Sequence, residues 1–338
     1  MYQMSQEEKE YLEQYDITKF DRPSIAADMA VFTVMGDTNE EAVRDKGNYR
    51  KRPQKKLKLL LIKRGSPPYK DRWALPGGFC RKGEEVADTA KRELFEETQI
   101  EDAYLQLAGV FGKEGRDPRG WIISHTFLAL FDGKKCRLRA GSDAWDARWF
   151  DVELLQEQVE EEQTAEKQDA FKQSAEGQTA EGQIVSVQDA KTEEIISAEK
   201  QTTYRLILTN NDEEEQVRLQ AVIRQEKHFW QFQVSTDYQI ETEEGFAFDH
   251  AKIITYALLH LRKLAETDGR IVFDLMPEYF TLTDLQNACE IILGKELLAA
   301  NFRRKMADYV VETDKITEGA GHRPAKLFRR NLQSIFME

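Results

Sequence analysis

Short apolar runs separated by polar stretches dominate the first 150 residues of the chain. Residues 87–97 contain no Gly or Pro and predict a helix. The polar residues 35–56 predict a long hairpin loop between the first two strands. We therefore expect a domain of strands and one helix over residues 23–155, preceded by a polar helix and lead-in at residues 1–22. The apolar runs that predict its strands lie at residues 24–34, 57–63, 105–111, 121–131 and 147–150.

Residues 156–201 depart from this pattern. They are rich in Glu, Gln, Ala, Ser and Thr, and they contain imperfect repeats such as those at 162–168 and 177–183. A segment of this composition buries little apolar surface, so we expect a disordered or partly helical insertion, with a docking role as the alternative. Beyond it, alternating runs predict an antiparallel meander within residues 202–245, with strands at 203–209, 217–225 and 229–236.

Helical periodicity returns in residues 246–338. A first helix contains apolar residues at helical spacing from Ile253 to Leu264. The Thr283–Gln286 capping-box pattern opens a second helix that Gly294 ends, and a third follows at residues 299–309. A Gly-rich turn and a short basic strand come next. Three helices and a hairpin predict a winged helix-turn-helix, and the alternative is a small helical dimerisation or capping domain with a solvated basic face.

The charge of the chain is unevenly distributed. The 338 residues have a formal net charge of −13. Residues 151–200 hold fourteen Asp and Glu against four Lys and Arg, a local balance of −10. Residues 301–330 hold eight Lys and Arg against four Asp and Glu, a local balance of +4. An acidic chain with a basic tip is compatible with nucleic-acid binding through that tip alone.

Apolar runs and cysteines indicate the compartment. The chain has no run of 18 apolar residues, so we expect no membrane-spanning helix. Residues 1–13 are polar and predict no signal peptide. The cysteines Cys80, Cys136 and Cys289 are far apart and form no CxxC motif, which is typical of ordinary thiols in a reducing cytosol. We therefore expect a cytoplasmic protein that does not associate with membranes.

The densest candidate chemistry lies on the helix predicted at residues 87–97. Glu93, Glu96 and Glu97 stand at i, i+3 and i+4, so they share one face of that helix. Three carboxylates crowded together repel one another unless a cation lies between them. A hard divalent ion such as Mg²⁺ takes oxygen ligands of this kind and brings substrate phosphates with it. The alternative is a solvated, charged helix face.

The spacing around this helix resembles the Nudix box. Gly78 is followed after five residues by Glu84, and after seven more by the run from Arg92 to Ile100, so that eight of the nine specified positions match. The departure is Gln99, where the pattern has a Gly suited to a left-handed helix end, and it leaves the end of the helix open. The resemblance implies an α+β protein whose Nudix domain is an α/β/α sandwich around a mixed sheet.

The resemblance also implies roles for the box residues. Mg²⁺ or Mn²⁺ would be held by Glu93, Glu96 and Glu97. Arg92 would orient a glutamate, and Glu84 would hold the loop to the helix. The general base of this superfamily often lies outside the box, so the sequence does not identify it. The candidate catalytic residues are Glu84, Arg92, Glu93, Glu96 and Glu97.

The whole architecture resembles the Nudix-related transcriptional regulators of NAD metabolism, in which a winged helix follows a Nudix domain. The resemblance rests on residues 66–79, the box, residues 115–121 and the C-terminal motifs within 247–330. It implies a homodimer that binds ADP-ribose and double-stranded DNA. The implied ligand-binding residues are Gly77, Gly78, Arg116, Asp117 and Arg119, and the implied DNA-binding residues are Asn301, Arg303, Arg304 and Lys305 on the third helix with Arg323 and Lys326 on the wing.

Three functions stay open on the sequence. The first is a metal-dependent ADP-ribose pyrophosphatase fused to a DNA-binding domain. The second is a transcriptional repressor that binds ADP-ribose without hydrolysing it, and the third is a hydrolase whose winged helix no longer binds DNA. The intact box favours the first and third, and the basic third helix favours the first and second. A charged turn closed by Pro118 and Gly120 is the alternative reading of residues 115–121.

Overall fold

The computed structural model describes residues 2–36, 55–101, 103–133, 144–166, 195–212, 215–230, 233–317 and 324–333. The strands within these ranges are β1 Ser24–Gly36, β2 Lys55–Arg64, β3 Trp73–Ala74, β4 Gly77–Phe79, β5 Tyr104–Phe111, β6 Ile122–Leu130, β7 Ala144–Glu166, β8 Ile195–Asn211, β9 Gln216–Trp230, β10 Gln233–Glu244, β11 Val310–Ile316 and β12 Lys326–Arg330. The helices are α1 Gln6–Gln14, α2 Val86–Thr98, α3 His250–Thr267, α4 Leu282–Leu293 and α5 Ala299–Met306. None of the helices in these ranges is both long and apolar enough to span a membrane.

A large mixed sheet forms the body of the protein. Its strands follow the order β10-β9-β8-β7-β2-β1-β6-β5, while β3 pairs with β2 and β4 pairs with β1. Strands β1 and β6 run parallel, and β1 and β2 run antiparallel. The strands predicted at residues 24–34, 57–63, 105–111 and 121–131 are all present in it. The expectation of a mixed sheet is confirmed.

One helix packs on each face of this sheet. Helix α2 buries Ala90 and Leu94 against Met29 and Leu60. These two helix positions are four residues apart and therefore lie on one stripe. Helix α3 packs its apolar stripe on the opposite face, in a core that continues into the C-terminal helices. The result is an α/β/α sandwich in which α2 and α3 are the two helical layers. Helix α3 lies in the segment that was predicted to begin the C-terminal domain.

The meander of β8, β9 and β10 extends this same sheet through β7. Strands β7 and β8 pair from Asp151 and Thr209 out to Glu166 and Ile195. Residues 156–166 and 195–201 are therefore paired strands, and the expectation of a disordered or partly helical insertion was wrong for them. The backbone hydrogen bonds between β7 and β8 start at the buried residues Leu154 and Leu206 and continue outward from there. Because these bonds join backbone groups, the outer part of the ladder requires no further apolar side chains. Residues 167–194 lie outside the described part of the chain.

The third meander strand was predicted in the wrong place. Strand β9 continues to Trp230, and β10 begins only at Gln233 and runs to Glu244. Residues 229–230 therefore end β9 and residues 233–236 begin β10, so the predicted run is divided between two antiparallel strands. The apolar alternation continues on both sides of a hairpin, so periodicity alone does not locate its turn.

The C-terminal helices have the predicted order with two corrected boundaries, since α5 ends at Met306 and a 3-10 turn occupies Ala307–Tyr309. Thr281, and not Thr283, is the N-cap of α4: its hydroxyl accepts a hydrogen bond from the backbone N–H of Asp284, and Asp284 reaches back to the N-cap. Gly294 ends α4 with φ 67°, the left-handed geometry that Gly adopts without strain. Strands β11 and β12 form the antiparallel wing after α5.

Candidate functional site

The two glycines before the box helix allow its carboxylates to approach the backbone. The backbone N–H of Gly77 donates to Glu97 Oε2 at 2.9 Å. A Cβ on Gly78 would collide with the carboxyl group of Glu93, and one on Gly77 would collide with the backbone of Ala27. Only a residue without a side chain fits at Gly77, and a side chain at Gly78 would displace the Glu93 carboxylate from its place in the site. The sequence WALPGGF therefore brings a loop directly against the acidic face of α2.

Arg92 and Glu84 join the loop to the helix. The guanidinium of Arg92 donates from Nε at 2.8 Å and from Nη2 at 3.0 Å to the two oxygens of Glu84. Glu84 also accepts from the Arg81 N–H at 3.0 Å and from the Thr89 hydroxyl at 2.9 Å. The hydrogen bond from Arg92 is the main reason that the pKa of Glu84 falls to about 2. Glu84 is thus a charged anchor and not a proton acceptor at neutral pH.

The remaining carboxylates of the box line the same face. Glu93 is only 15% exposed and pairs with Arg92 Nη1, while Glu96 is 46% exposed and lies 3.2 Å from the same nitrogen. Among the described residues, no three His, Cys, Asp or Glu side chains already converge on one point where an ion could bind. The donor set itself, three carboxylates beside a glycine loop, has the oxygen chemistry that a hard divalent ion takes.

Gln99 ends the box helix in the conformation that a Gly would adopt. Its φ is 61° and its ψ is 23°, and its backbone N–H donates to the Phe95 carbonyl at 2.9 Å. The side-chain amide of Gln99 donates to the same carbonyl at 2.9 Å. This second hydrogen bond compensates part of the strain of a left-handed residue that bears a side chain. The departure from the Nudix pattern therefore leaves the helix end intact.

The loop at residues 115–121 contains a tight pair of opposite charges. Asp117 is buried and accepts from the backbone N–H and the guanidinium of Arg119, with Arg119 Nη2 2.7 Å from Asp117 Oδ2. Burial alone would raise the pKa of Asp117, but the hydrogen bonds and the charge of Arg119 outweigh it and lower that pKa. The guanidinium of Arg119 lies 4.9 Å from the ring centre of Phe79 and 5.1 Å from that of Phe248.

Arg116 is directed elsewhere. Its guanidinium forms a two-pronged contact with Asp249, at 2.7 Å and 3.2 Å, and its side chain is only 5% exposed. Asp249 is the residue immediately before α3. The structure therefore places Arg119 beside the aromatic rings next to the box, and Arg116 as a buried link between this loop and the start of α3.

Sequence reasoning missed three residues of this site. Arg64 ends β2 with its guanidinium 4.8 Å from the ring centre of Phe248, and the ring of Tyr69 lies 4.8 Å from the same ring. Tyr69 and Phe248 both lie in motifs that carried the family resemblance. Their backbones have φ of 59° and 54°, a conformation that side chains rarely adopt and that no local pattern indicates. The signal that could have identified Tyr69 and Phe248 is that each is an aromatic residue inside a family motif.

A second candidate site lies on α5. Phe302 and Met306 are buried, four residues apart, whereas Asn301, Arg303, Arg304 and Lys305 are exposed. Helix α5 therefore turns its basic residues to solvent. The Arg304 guanidinium contacts Asn301 Oδ1 at 3.3 Å, and Lys305 Nζ donates to the Glu266 carbonyl at 3.0 Å. Lys305 thus also contacts α3.

The wing supplies further basic residues beside α5. Lys326 begins β12 and pairs with Glu312 across the hairpin. Arg330 at the other end of β12 pairs with Asp274 at 3.0 Å. Arg323, the other wing residue of the prediction, lies outside the described residues.

Two family models match the chain. Residues 49–174 match the NUDIX domain, and residues 272–330 match the NrtR DNA-binding winged helix domain. The second range begins after α3 and ends with β12, so it covers α4, α5 and the wing.

Relatives and solved structures extend the similarity over nearly the whole chain. The chain is 27% identical to the ADPR responsive transcriptional repressor NtrR of Acinetobacter baylyi, over 96% of this chain and 89% of that protein. It is 43% identical to the ADP-ribose pyrophosphatase of Methanocaldococcus jannaschii over 102 residues, 30% of this chain and 59% of that protein. The fold resembles a MutT/nudix family protein from Enterococcus faecalis, with TM-score 0.56, 21% identity and coverage of 98% and 100%. It also resembles Shewanella oneidensis NrtR complexed with a 27mer DNA, with TM-score 0.50, 21% identity and coverage of 91% and 93%.

Proposed function

Because the chain belongs to the family in which a Nudix domain is joined to an NrtR-type DNA-binding winged helix domain, we propose that it binds and hydrolyses ADP-ribose and regulates genes of NAD metabolism. The observation that carries the proposal is the intact box. Glu93, Glu96 and Glu97 lie on α2 beside the Gly77–Gly78 loop, and Arg92 joins them to Glu84 in the loop before the helix. The similarity to an ADPR responsive repressor and to an ADP-ribose pyrophosphatase indicates the ligand.

The residues divide the chemistry among them. Glu93, Glu96 and Glu97 would hold Mg²⁺ or Mn²⁺, which supplies charge neutralisation to the diphosphate and activates water when bound. Arg92 keeps Glu84 charged and fixes the loop to the helix. The glycine loop lets the diphosphate approach the carboxylates closely, because no side chain stands at Gly78. Arg119 would donate to the phosphate oxygens, since a guanidinium matches their geometry.

The direct test is to incubate the purified protein with ADP-ribose and Mg²⁺ or Mn²⁺ and to measure AMP and ribose 5-phosphate. Formation of both products supports a hydrolase. The competing function is a sensor, and the similarity to an ADPR responsive transcriptional repressor over 96% of this chain favours it. Tight ADP-ribose binding without detectable turnover would establish the sensor and exclude the enzyme.

Arg119 is the first residue to test for ligand binding. We expect Arg119→Ala to weaken ADP-ribose binding by roughly 1.5–3 kcal/mol, the range for a hydrogen bond to a charged group. Calorimetry measures this change. Arg119→Lys keeps the positive charge but loses the two parallel N–H donors of the guanidinium, so this variant should bind ADP-ribose with intermediate affinity. Lys113→Ala, which removes an exposed cation two residues before the same loop, is the matched control. Unchanged affinity in Arg119→Ala would show that the loop is structural.

The basic face of α5 and the wing lead us to propose that a homodimer of the chain binds double-stranded DNA. Arg303 and Arg304 would reach base edges from α5, together with Asn301, and Lys326 would contact phosphate from the wing. The rest of an acidic chain repels DNA, so the contacts have to concentrate at this tip. Two subunits related by a two-fold axis would match a palindromic site.

Two substitutions separate base reading from phosphate contact. Arg304→Ala should weaken specific binding by about 1–3 kcal/mol if Arg304 reads a guanine. Lys326→Ala should weaken binding to all sequences alike and flatten its salt dependence. Anisotropy titrations against DNA upstream of the chain's own operon and of NAD-synthesis genes measure both effects. Lys91→Ala, on the outer surface of α2, is the control. Equal, weak binding to target and scrambled DNA would leave a hydrolase with an auxiliary C-terminal domain.

A further inference from the structure

One aromatic ring lies against two guanidiniums beside the box helix. The ring centre of Phe248 is 4.8 Å from the Cζ of Arg64 and 5.1 Å from the Cζ of Arg119. An arginine over an aromatic face is attracted by the negative face of the ring. The two arginines come from distant parts of the chain, the end of β2 and the 115–121 loop. Phe248 is the side chain that both of them contact.

The charges around Arg64 show which groups are near it. Burial, followed by the charge of Arg119, lowers the pKa of the Arg64 guanidinium, while the charges of Asp117 and Glu97 act in the opposite direction. Arg64 therefore lies within electrostatic reach of both the ligand loop and the carboxylate face of α2. An anion bound by the two arginines would lie next to the residues that we propose hold the metal. Arg64 and Arg119 are two positive charges at one ring, partly balanced by Asp117, and they favour a ligand that carries more than one negative charge.

The backbone holds Phe248 in place. Its φ of 54° is strained for a residue with a side chain. Backbone hydrogen bonds on the N-terminal side tie this segment to β3: Trp73 N–H donates to the Gly245 carbonyl at 3.0 Å, and Ala247 N–H donates to the Trp73 carbonyl at 2.8 Å.

A side-chain hydrogen bond fixes the other side of the same segment. The Leu75 N–H donates to Nδ1 of the buried His250 at 2.8 Å. The segment that leads into Gly77 and Gly78 is thus bound to the start of α3, two residues after Phe248.

We propose that Phe248 is a positioning residue that holds Arg64 and Arg119 as a pair for the diphosphate of a nucleotide. The inference rests on the proposed function, and it adds a residue outside the range that matches the NUDIX domain. Phe248 stands two residues before the first residue of α3, and Asp249 between them binds Arg116 of the ligand loop. The ligand site therefore includes the start of the helix that packs against the DNA-binding helices.

The test compares ADP with AMP in the full-length protein, because the two ligands differ by one phosphate. We expect the wild-type protein to prefer ADP. Phe248→Leu keeps an apolar side chain but removes the ring, and it should reduce the ratio of ADP to AMP affinity by about tenfold. Arg64→Met should reduce the ratio by about tenfold or more, since it removes a charged donor. A change in overall stability would lower both affinities together and leave the ratio unchanged.

Phe111→Leu is the matched control. The Phe111 ring packs edge-on against Tyr256 of α3 at 5.3 Å, so this variant loses an aromatic contact with the same helix. Its ADP to AMP ratio should equal that of the wild type. A wild-type ratio in Phe248→Leu, or an equal loss in Phe111→Leu, would overturn the inference.

Titration with the α,β-methylene analogue of ADP-ribose separates this inference from the proposed function. Wild-type protein that binds the analogue but does not prefer ADP to AMP would refute the inference alone. Wild-type protein that does not bind the analogue would refute both.

Discussion

Replacing Glu97 by glutamine is expected to lower kcat for ADP-ribose hydrolysis at least about a hundredfold, the scale of losing a main electrostatic contributor. Glutamine keeps an oxygen that can accept the Gly77 N–H, so the loop should stay in place while the charge is lost. Steady-state assays of AMP release in Mg²⁺ measure the effect. The affinity for the α,β-methylene analogue of ADP-ribose in the absence of metal should change little, because the arginines and not Glu97 would contact the diphosphate.

Glu101→Gln is the control for this variant, since Glu101 is exposed just beyond the end of α2. It should retain wild-type kcat. A Glu97→Gln protein with nearly wild-type turnover would contradict the assignment of Glu97 as a metal ligand.

Breaking the Arg116–Asp249 pair is expected to destabilise the fold by ~3–5 kcal/mol, because a single substitution leaves an uncompensated buried charge. Both side chains are largely inaccessible, with 5% and 11% exposed. Asp249→Asn should therefore lower the midpoint of urea unfolding clearly. Replacing both residues, as Arg116→Met with Asp249→Leu, should cost less than the two single changes together, because neither residue of the pair then leaves the charge of the other one unpaired. Additive losses would show that the pair does not act as a unit.

The same pair predicts a dependence on pH. Burial alone would raise the pKa of Asp249, but the hydrogen bond and charge of Arg116, with the charge of Lys252, outweigh it and lower that pKa. A lowered carboxyl pKa stabilises the folded state above the ordinary value near 4, and this stabilisation is lost as the pH falls from there through the folded-state value. Wild-type protein should therefore lose stability more steeply below about pH 4 than Asp249→Asn does.

The secondary structure could be predicted wherever local periodicity and burial agree. The box helix was predicted at residues 87–97 and spans Val86–Thr98, and four Nudix strands were located to within a few residues. The prediction failed in the Glu- and Gln-rich stretch after β7, where strand pairing continues without an apolar pattern. Hydrogen bonds between backbones hold that ladder, and they are not encoded in side-chain hydropathy. The amino-acid composition of this stretch therefore does not show that it pairs with another strand.

The candidate site could be predicted only where its residues lie close together in the sequence. Glu84, Arg92 and the three other glutamates lie within one short segment, so their mutual contacts follow from spacing along a helix and its preceding loop. The metal and DNA roles of the predicted residues stay predictions. The partner of Arg116 is 133 residues away, and its bond to Asp249 depends on how α3 packs on the sheet. No local pattern contains that information.

By itself, the sequence determined the chain order of the elements, the acidic face of α2 and the basic face of α5. Each of these depends on residues close together in the chain, where helical and strand periods set the directions of side chains. Only the tertiary structure decided that the meander extends the Nudix sheet and that α3 covers its second face. It alone also brought Phe248 to Arg64 and Arg119. Contacts of this kind join residues far apart in sequence, and they form because burial of the shared apolar core selects one arrangement of the whole chain.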